Sequence, residues 1–315
     1  MIRTVTGDIR PDQLGFTYAH EHLVASPPAW MAERDPDLVI LDEEKAVAET
    51  LLARDVGVEA MYEASAWDYG RDPLALRRIS ERTGVRIIGC AGFNKGRWFD
   101  DLLADWSVDR LEEQIVADIT TGMDGTDVRA GVIKFGTGYN HISPVEERVL
   151  RAAARAHRRT GAPLHGHTET GTMVPEQLAL LREEGVDTRR VGFVHVTRNP
   201  DPWLHREIAK TGAYLCYDGF SKIKYLPESV RIDLLIHLIE AGYERQVVIG
   251  GDLARRTDLT TYTGGPGLGY IAGPWLRRFR TELAERGYEE ARVKEIVQRL
   301  FIDNPATYFD MVPSY

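Results

Sequence analysis

Short apolar runs recur eight times along the chain, and longer amphipathic segments separate them. Several runs are continuous and rich in β-branched residues, such as VRIIG, GVIKF and VVIGGD, which is typical of strands buried on both faces of a parallel sheet. Eight such strands, each followed by a helix or a long loop, predict a (β/α)8 TIM barrel that occupies residues 1–315 as one domain. The predicted strands are Thr17–Leu23, Val58–Ser65, Val85–Phe93, Ala130–Thr137, Ala162–Glu169, Val191–Thr197, Ala213–Gly219 and Gln246–Asp252.

The segments between these runs carry helical signals. Pro144–Thr160, for example, has a proline at its start, and Gly161 follows its last residue. An open doubly wound sheet is the alternative architecture, but it usually has a glycine-rich phosphate loop after its first strand, where this chain has HEHLVASPP. The sequence TYTGGPGLGYIAGP predicts a long loop after the eighth strand, near the barrel mouth. The other predicted helices are Glu43–Arg54, Val174–Glu184, Asp201–Lys210, Ser229–Ala241 and further ones within Trp275–Leu300.

The charge balance narrows the class of partner. A formal net charge of −9 argues against a nucleic-acid binder, although a local cluster of cations can still bind a small anion. The N-terminus lacks the apolar core of a signal peptide, and no stretch approaches the roughly 18 apolar residues of a membrane helix. The two cysteines, Cys90 and Cys216, are too few for a disulfide framework. We therefore expect a cytoplasmic protein with no nucleic-acid or membrane partner.

Histidines cluster where the predicted strands end, which is where barrel enzymes place their reacting groups. Strand one ends in His20-Glu21-His22, and the alternation of side chains puts both imidazoles on one face, where they can share a divalent cation. Taken singly, a strand histidine can be a core residue, an aspartate can cap a helix, and a lysine can stand at an exposed strand end. Taken together, they predict a metal site at the mouth, from His20, His22, Lys134, His165, His167, His195 and Asp252.

The other histidines lie in predicted loops or helices. We expect His141, His157, His205 and His237 to be surface residues.

The order of these motifs resembles the phosphotriesterase-like members of the amidohydrolase superfamily. The resemblance rests on HEH, a strand-four lysine, HGHTE, a strand-six histidine and GGD, and it extends to the terminal FIDNPATYF. It implies a binuclear metal site at the C-terminal face of the barrel, with a lysine carboxylated by carbon dioxide as the bridge. The implied ligands are His20, His22 and Asp252 for a buried metal, His167 and His195 for an outer one, and Lys134 as the carbamate between them.

This implied site has a consistent chemistry. Burial and nearby metal charge favour a neutral lysine amine that can react with carbon dioxide. Two metals would then share a hydroxide that attacks the substrate, with Asp252 as the general base. We expect zinc first, with manganese, cobalt or iron as alternatives. His165 matches no ligand in the family pattern and is expected behind the ligands or in the pocket wall, and Glu21 is expected to have a structural role.

Departures from the family pattern bear on the substrate. True phosphotriesterases carry a histidine after the strand-seven aspartate, where this chain has Gly219, and an aspartate past the strand-six ligand, where it has VTRNPD. The branch that hydrolyses lactones of phosphorylated sugars is similar in having a lysine and an arginine after strands seven and eight, at positions matching Lys224 and Arg255. A tyrosine of that branch is replaced by Asp258. The expected substrate-binding residues are Tyr139, Lys222, Lys224, Arg255 and Arg256.

These observations predict a metal-dependent lactonase acting on a small lactone, with a phosphorylated sugar lactone as one form of it. The alternatives are a phosphotriesterase or aryl esterase, an amidohydrolase on the same binuclear site, and an inactive metal-bound interaction protein. The intact ligand set speaks against the inactive protein. As in other such proteins, we expect a homodimer.

Overall fold

The computed structural model describes residues 1–312, and its strands follow the predicted order. A short antiparallel hairpin precedes the first strand of the barrel. The eleven strands are β1 (Ile2–Thr4), β2 (Gly7–Ile9), β3 (Thr17–Glu21), β4 (Ala60–Glu63), β5 (Arg86–Ile88), β6 (Cys90–Gly92), β7 (Val132–Thr137), β8 (Leu164–Thr168), β9 (Val191–Val194), β10 (Tyr214–Tyr217) and β11 (Val247–Ile249).

The strands close into a parallel barrel. Strands β6 to β11 pair in sequence order as one parallel sheet, and β3 to β5 form a second parallel sheet. Strands β5 and β6 are the two halves of one predicted run, interrupted at Gly89. At the other junction, the Asp252 amide after β11 donates to the His20 carbonyl in β3 at 3.0 Å. With β5 and β6 counted as one, the barrel has eight strands, which confirms the predicted fold and excludes an open doubly wound sheet.

Two groups of apolar side chains fill the molecule. An inner cluster within the barrel includes Ala19, Tyr62, Val132 and Cys216. An outer cluster, between the strands and the helices, takes the alternate strand positions, such as Ile133. This use of both strand faces explains why the sequence runs are continuously apolar.

Helices surround the barrel. They are α1 (Ala29–Arg34), α2 (Glu43–Asp55), α3 (Pro73–Thr83), α4 (Gly96–Leu103), α5 (Val108–Thr120), α6 (Pro144–Thr160), α7 (Val174–Glu183), α8 (Pro202–Lys210), α9 (Glu228–Glu240), α10 (Thr260–Thr263), α11 (Leu276–Glu285), α12 (Glu290–Gln298) and α13 (Asn304–Tyr308). Two π-helical turns lie among the last helices. Ile271–Trp275 leads into α11, and Arg299–Asp303 joins α12 to α13.

Helix α6 shows why these segments begin and end where they do. The Ser143 hydroxyl accepts from the Glu146 amide, and the Glu146 carboxylate accepts from the Ser143 amide, which forms a capping box. Gly161 ends the helix at a φ of 73°, in the left-handed region that glycine adopts without strain. Both ends therefore agree with the sequence prediction.

The long segment after β11, predicted as a loop near the mouth, is structured and packs against helix α2. The carboxylate of Glu49, in helix α2, accepts from the amides of Thr261 and Leu268 and so fastens the segment to the side of the barrel. The residues that line the cavity at the mouth all lie at or before Arg255 in the described chain. Within the described chain, this segment is therefore structured, and its residues do not line the cavity.

Two further features bear on the predictions from composition. Cys90 and Cys216 are buried as free thiols. Among residues 1–312, no helix combines the length and apolar character that crossing a membrane requires.

Candidate metal centre

The carboxyl ends of the barrel strands surround a cavity of about 110 Å³. Its walls combine imidazoles, cationic side chains and a few apolar groups. The lining residues are His20, His22, Leu38, Tyr69, Asn94, Lys95, Trp98, Lys134, His167, His195, Arg198, Lys222, Tyr225, Asp252, Ala254 and Arg255. All six predicted metal ligands are among them.

A β-bulge in β3 aims the first two histidines. Tyr18 pairs with Met61 and Glu21 with Glu63, so two residues of β3 oppose one residue of β4. Tyr18 packs in the outer cluster, although strict alternation would place it on the same side as His20. The extra residue moves His20 and His22 to the inner side, which is a common use of bulges beside active sites.

His20, His22 and Asp252 form a group with the spacing of a metal site. The Nε2 atoms of both histidines lie 3.6 Å from Asp252 Oδ1. That distance is too long for a good hydrogen bond, but ligand atoms around a tetrahedral zinc ion lie roughly 3.3 Å apart, given bond lengths of about 2.0–2.1 Å. His20 Nε2 is buried and has no hydrogen-bond partner in the described chain. A bare acceptor in this position fits a divalent cation.

Partners behind His22 hold its ring in place. The Ser65 hydroxyl donates to Glu63 Oε1 at 2.7 Å, so Ser65 Oγ accepts from His22 Nδ1 at 2.8 Å. The Glu63 carboxyl also accepts from the amides of Leu23 and Ser65, and its burial raises its pKa. These bonds leave His22 Nε2 free to face Asp252, and neither partner was predicted from the sequence. The only signal was a polar E-x-S at the end of an apolar strand.

Asp252 presents its two carboxylate oxygens to different groups. Oδ1 faces the histidines, whereas Oδ2 accepts from Arg198 Nη2 at 2.8 Å and lies 3.2 Å from Lys222 Nζ. Burial opposes ionisation, but the nearby Lys222 ammonium holds the pKa of Asp252 well below its usual value. Its backbone has a φ of 53°, an uncommon left-handed conformation for aspartate.

Glu21 supports that conformation, as its expected structural role implies. It points away from the two histidines and accepts from the amides of Gly251 and Leu253, at 2.6 and 3.3 Å. Burial raises its pKa to about 8. Glu21 therefore fixes the backbone on both sides of Asp252.

His195 and Asp218 form a second group with Asp252, and their ligand atoms lie within 4.8 Å of one another. Asp218 Oδ2 lies 2.6 Å from His195 Nδ1, which leaves His195 Nε2 as the free ligand atom. Burial raises the pKa of Asp218 to about 6 and lowers that of His195 well below its usual value. A neutral imidazole oriented by a carboxylate is a common arrangement behind metal ligands.

His167 and Lys134 complete the wall of the cavity. The rings of His167 and His195 lie 4.6 Å apart, and His167 Nε2 lies 3.3 Å from Glu169 Oε2. Lys134 is 1% exposed, and its amine makes a long bond of 3.4 Å to the Ala64 carbonyl. Burial lowers the pKa of Lys134. A buried ammonium group with so few hydrogen bonds is unfavourable, so the charged form of this lysine is disfavoured.

The residues expected to bind substrate separate into two sets. Lys222 and Arg255 line the cavity, whereas Tyr139, Lys224 and Arg256 are exposed and lie outside its lining. Arg255 already pairs with Asp35 and Asp37, from the loop after β3.

Two other cations enter the cavity without having been predicted. They are Arg198, from VTRNPD, and Lys95, which pairs with Glu169. Arg198 packs over the Tyr225 ring at 4.3 Å, and its Nε is buried without a partner in the described chain.

The prediction of surface histidines was wrong for His157 and His205. His157 Nδ1 bonds to the Ala162 carbonyl at 2.8 Å, and His205 bonds to Tyr217 and to two carbonyls. Both are buried because these helix positions face the barrel. His141 is exposed and His237 is partly buried. His165 is fully buried behind His20 and bonds to it.

Comparison with known proteins agrees with this geometry. The profile of the Phosphotriesterase family matches residues 1–309. A lactonase from Listeria monocytogenes has a crystal structure that matches with a TM-score of 0.95 at 41% identity, over 99% of each chain. The N-acetyltaurine hydrolase of Tetraodon nigroviridis is 32% identical over 96% of each chain. The phospho-furanose lactonase of Mycoplasmopsis agalactiae is 32% identical over 74% of this chain and 70% of its own.

Proposed function

Because this chain belongs to the phosphotriesterase family and is a metal-dependent hydrolase, we propose that it opens the lactone ring of a phosphorylated sugar. The lactonase of Listeria monocytogenes and the phospho-furanose lactonase of Mycoplasmopsis agalactiae, both similar to this chain, support the reaction. The observation that carries the proposal is the position of Asp252 between histidine nitrogens on one side and two cations on the other.

The donor set is suited to a pair of divalent metals. His20, His22 and Asp252 would hold the buried ion, His167 and His195 the outer one, and Lys134 would bridge them as a carbamate. We propose zinc, because imidazole and carboxylate oxygen are among its usual ligands. When bound, two such cations lower the pKa of a water molecule and polarise the ester carbonyl.

The proposed carbamate at Lys134 rests on its surroundings. The amine lies in the inner wall, where, among residues 1–312, the Ala64 carbonyl at 3.4 Å is its only hydrogen-bond partner. Burial favours the neutral amine, which is the form that reacts with carbon dioxide. The product exchanges a poorly hydrogen-bonded amine for a carboxylate among imidazoles.

Asp252 is placed to move a proton in this reaction. Its Oδ1 is directed at the histidines, and we propose that Oδ2, once Arg198 and Lys222 turn to the anion of the substrate, accepts the proton of the attacking water. The nearby Lys222 ammonium holds the pKa of that carboxyl well below its usual value, so it releases the proton readily. The proton then goes to the oxygen that leaves as the ring opens.

Arg198 and Lys222 are placed to bind the anionic end of the substrate. In the described chain both converge on Asp252 Oδ2, and Lys222 also lies 3.3 Å from Asp258. When Asp252 serves a metal, its charge is shared with that ion, and the two cations retain donors for a phosphate. The unpartnered Nε of Arg198 adds a donor in the same place.

A second candidate function is the hydrolysis of an amide substrate that carries an anionic group. The N-acetyltaurine hydrolase matches over a larger share of its length than the phospho-furanose lactonase does. Its substrate also ends in an anion, which Arg198 and Lys222 would bind equally well. A neutral phosphotriester or aryl ester has no anionic group that these two cations could bind, and an inactive interaction protein has no use for so complete a donor set.

We also propose that the protein is a homodimer in solution.

The test is a rate comparison on the zinc-loaded protein. A pH-indicator assay would measure the opening of furanose lactones with and without a terminal phosphate, alongside N-acetyltaurine and a chromogenic triester. We expect the highest kcat/KM for the phosphorylated lactone. Faster hydrolysis of N-acetyltaurine would select the amide candidate. Turnover of neutral lactones or triesters alone would refute the anion site.

A further inference from the structure

A chain of hydrogen bonds runs from the C-terminal helix to the first predicted metal ligand. The Tyr308 hydroxyl, from α13, donates to the Leu164 carbonyl at 2.7 Å. His165 Nδ1 lies 2.9 Å from the same hydroxyl, and His165 Nε2 lies 2.9 Å from His20 Nδ1. The two histidines and the tyrosine are completely buried.

The number of protons fixes the direction of this chain. A carbonyl oxygen only accepts, so the single Tyr308 proton points to Leu164, and the hydroxyl must accept from His165 Nδ1. A neutral imidazole has one N–H, so His165 Nε2 accepts from His20 Nδ1. His20 Nε2 is left without a proton.

We propose that His165 and Tyr308 are positioning residues that hold His20 in the tautomer whose Nε2 lone pair faces the buried metal. This inference rests on the proposed role of His20 as a ligand. The opposite direction would place a proton on His20 Nε2, where it would exclude a cation. It would also leave the protonated Nε2 atom 3.6 Å from Asp252 Oδ1, a distance too long for a good hydrogen bond.

This chain of hydrogen bonds differs from the hydrogen bonds that orient the other predicted ligands. The chain behind His22 ends at the Glu63 carboxyl, and His195 bonds directly to Asp218. The chain behind His20 ends at a backbone carbonyl, so it fixes the ring without bringing another carboxylate to the buried metal. We therefore infer that it sets the affinity of that metal through proton position and ring orientation alone.

The variant Tyr308→Phe removes the hydroxyl and retains the ring. His165 then has no acceptor at Nδ1 and can reverse its tautomer. Competition with a chromophoric chelator should show zinc affinity at one of the two sites lowered by about 10- to 100-fold, as for other partners of metal ligands. In the metal-free protein, nitrogen NMR of labelled histidines should show the His20 proton moving from Nδ1 to Nε2.

Tyr62→Phe is the matched control. The Tyr62 ring lies 5.0 Å from that of His165, but its hydroxyl donates to Cys90 Sγ, outside the chain. It should retain both zinc affinities and the tautomer of His20. At His165 itself, Gln keeps an acceptor for His20 and should preserve more zinc affinity than Leu.

The outcomes separate this proposal from the proposed function. Unchanged zinc affinity and an unchanged His20 tautomer in Tyr308→Phe would overturn the positioning role, even if the protein is an active lactonase. If the wild-type protein bound no metal, the proposed function would fail, whereas the tautomer in the metal-free protein would still test the hydrogen-bond chain. Should the His165 variants fail to fold, Tyr308→Phe decides alone.

Discussion

Arg198→Met tests how the protein selects an anionic substrate. The Arg198 guanidinium bonds to Asp252 Oδ2 at 2.8 Å and packs over the ring of Tyr225. Methionine retains much of the alkyl packing and removes the charge and all the donors. Any change in the preference for phosphorylated over unphosphorylated lactone then reports on the guanidinium.

The magnitude follows from the bonds that are lost. A hydrogen bond to a charged group contributes about 1.5–3 kcal/mol net. Since about 1.4 kcal/mol corresponds to a tenfold change, the ratio of kcat/KM for the phosphorylated lactone to that for its unphosphorylated analogue should fall by roughly 10- to 150-fold. The loss of the contact with Asp252 should lower the rates for both lactones together, and the ratio removes this shared effect.

The assay is the pH-indicator measurement on zinc-loaded protein, with both lactones in parallel. Arg256→Met is the control, because Arg256 is an exposed arginine outside the cavity that bonds to the Val39 carbonyl. It should leave the ratio unchanged. If Arg198→Met slowed both lactones equally, the guanidinium would act only on Asp252, and the argument for an anion site would be refuted.

Three further predictions use other parts of the site. Lys222→Met should raise KM for the phosphorylated lactone about tenfold in steady-state kinetics, because Lys222 lines the cavity. Lys224→Met, at an exposed lysine outside the cavity, should leave KM unchanged. Equal effects of the two variants would contradict the assignment of Lys222 to the anion site. Labelled carbon dioxide should give a carbamate signal by carbon NMR in the wild-type protein and none in Lys134→Arg, and a signal in both would place the carbamate elsewhere. Burial raises the pKa of Glu21 from 4.5 to about 8, so the metal-free protein should lose stability as pH rises through that range, because the unfolded chain releases this proton near 4.5 whereas the folded state retains it until about 8. Urea unfolding should show a flatter dependence in Glu21→Gln, and an unchanged slope would exclude this origin.

The strand ends could be predicted because the same kind of sequence pattern recurs at several of them. A continuous apolar run that ends in HEH, HGH or GGD gives both the strand and the direction of its last side chains. The bulge in β3 was not predictable, because it depends on how β3 pairs with β4. The orientation of His20 and His22 agreed with simple alternation, but that of Tyr18 did not.

The partners of the site residues were harder to predict because they come from distant parts of the chain. Arg255 was expected to bind substrate, but Asp35 and Asp37, more than two hundred residues earlier, already pair with it. Arg198 has no periodic signal, since it lies in a short loop after β9. His165 matched no ligand, and its role depends on Tyr308, which lies 143 residues later.

The hydrogen-bond chain behind His20 also has a consequence for biosynthesis. A ribosome completes all the barrel strands before it makes Tyr308, which is the residue that directs the protons of His165 and His20. We expect a nascent chain halted before Tyr308 to form much of the barrel and still bind its buried metal weakly. Tight loading of that metal would then follow synthesis of the C-terminal helix. Zinc binding to ribosome-stalled chains that stop on either side of Tyr308 would show whether metal uptake waits for this residue.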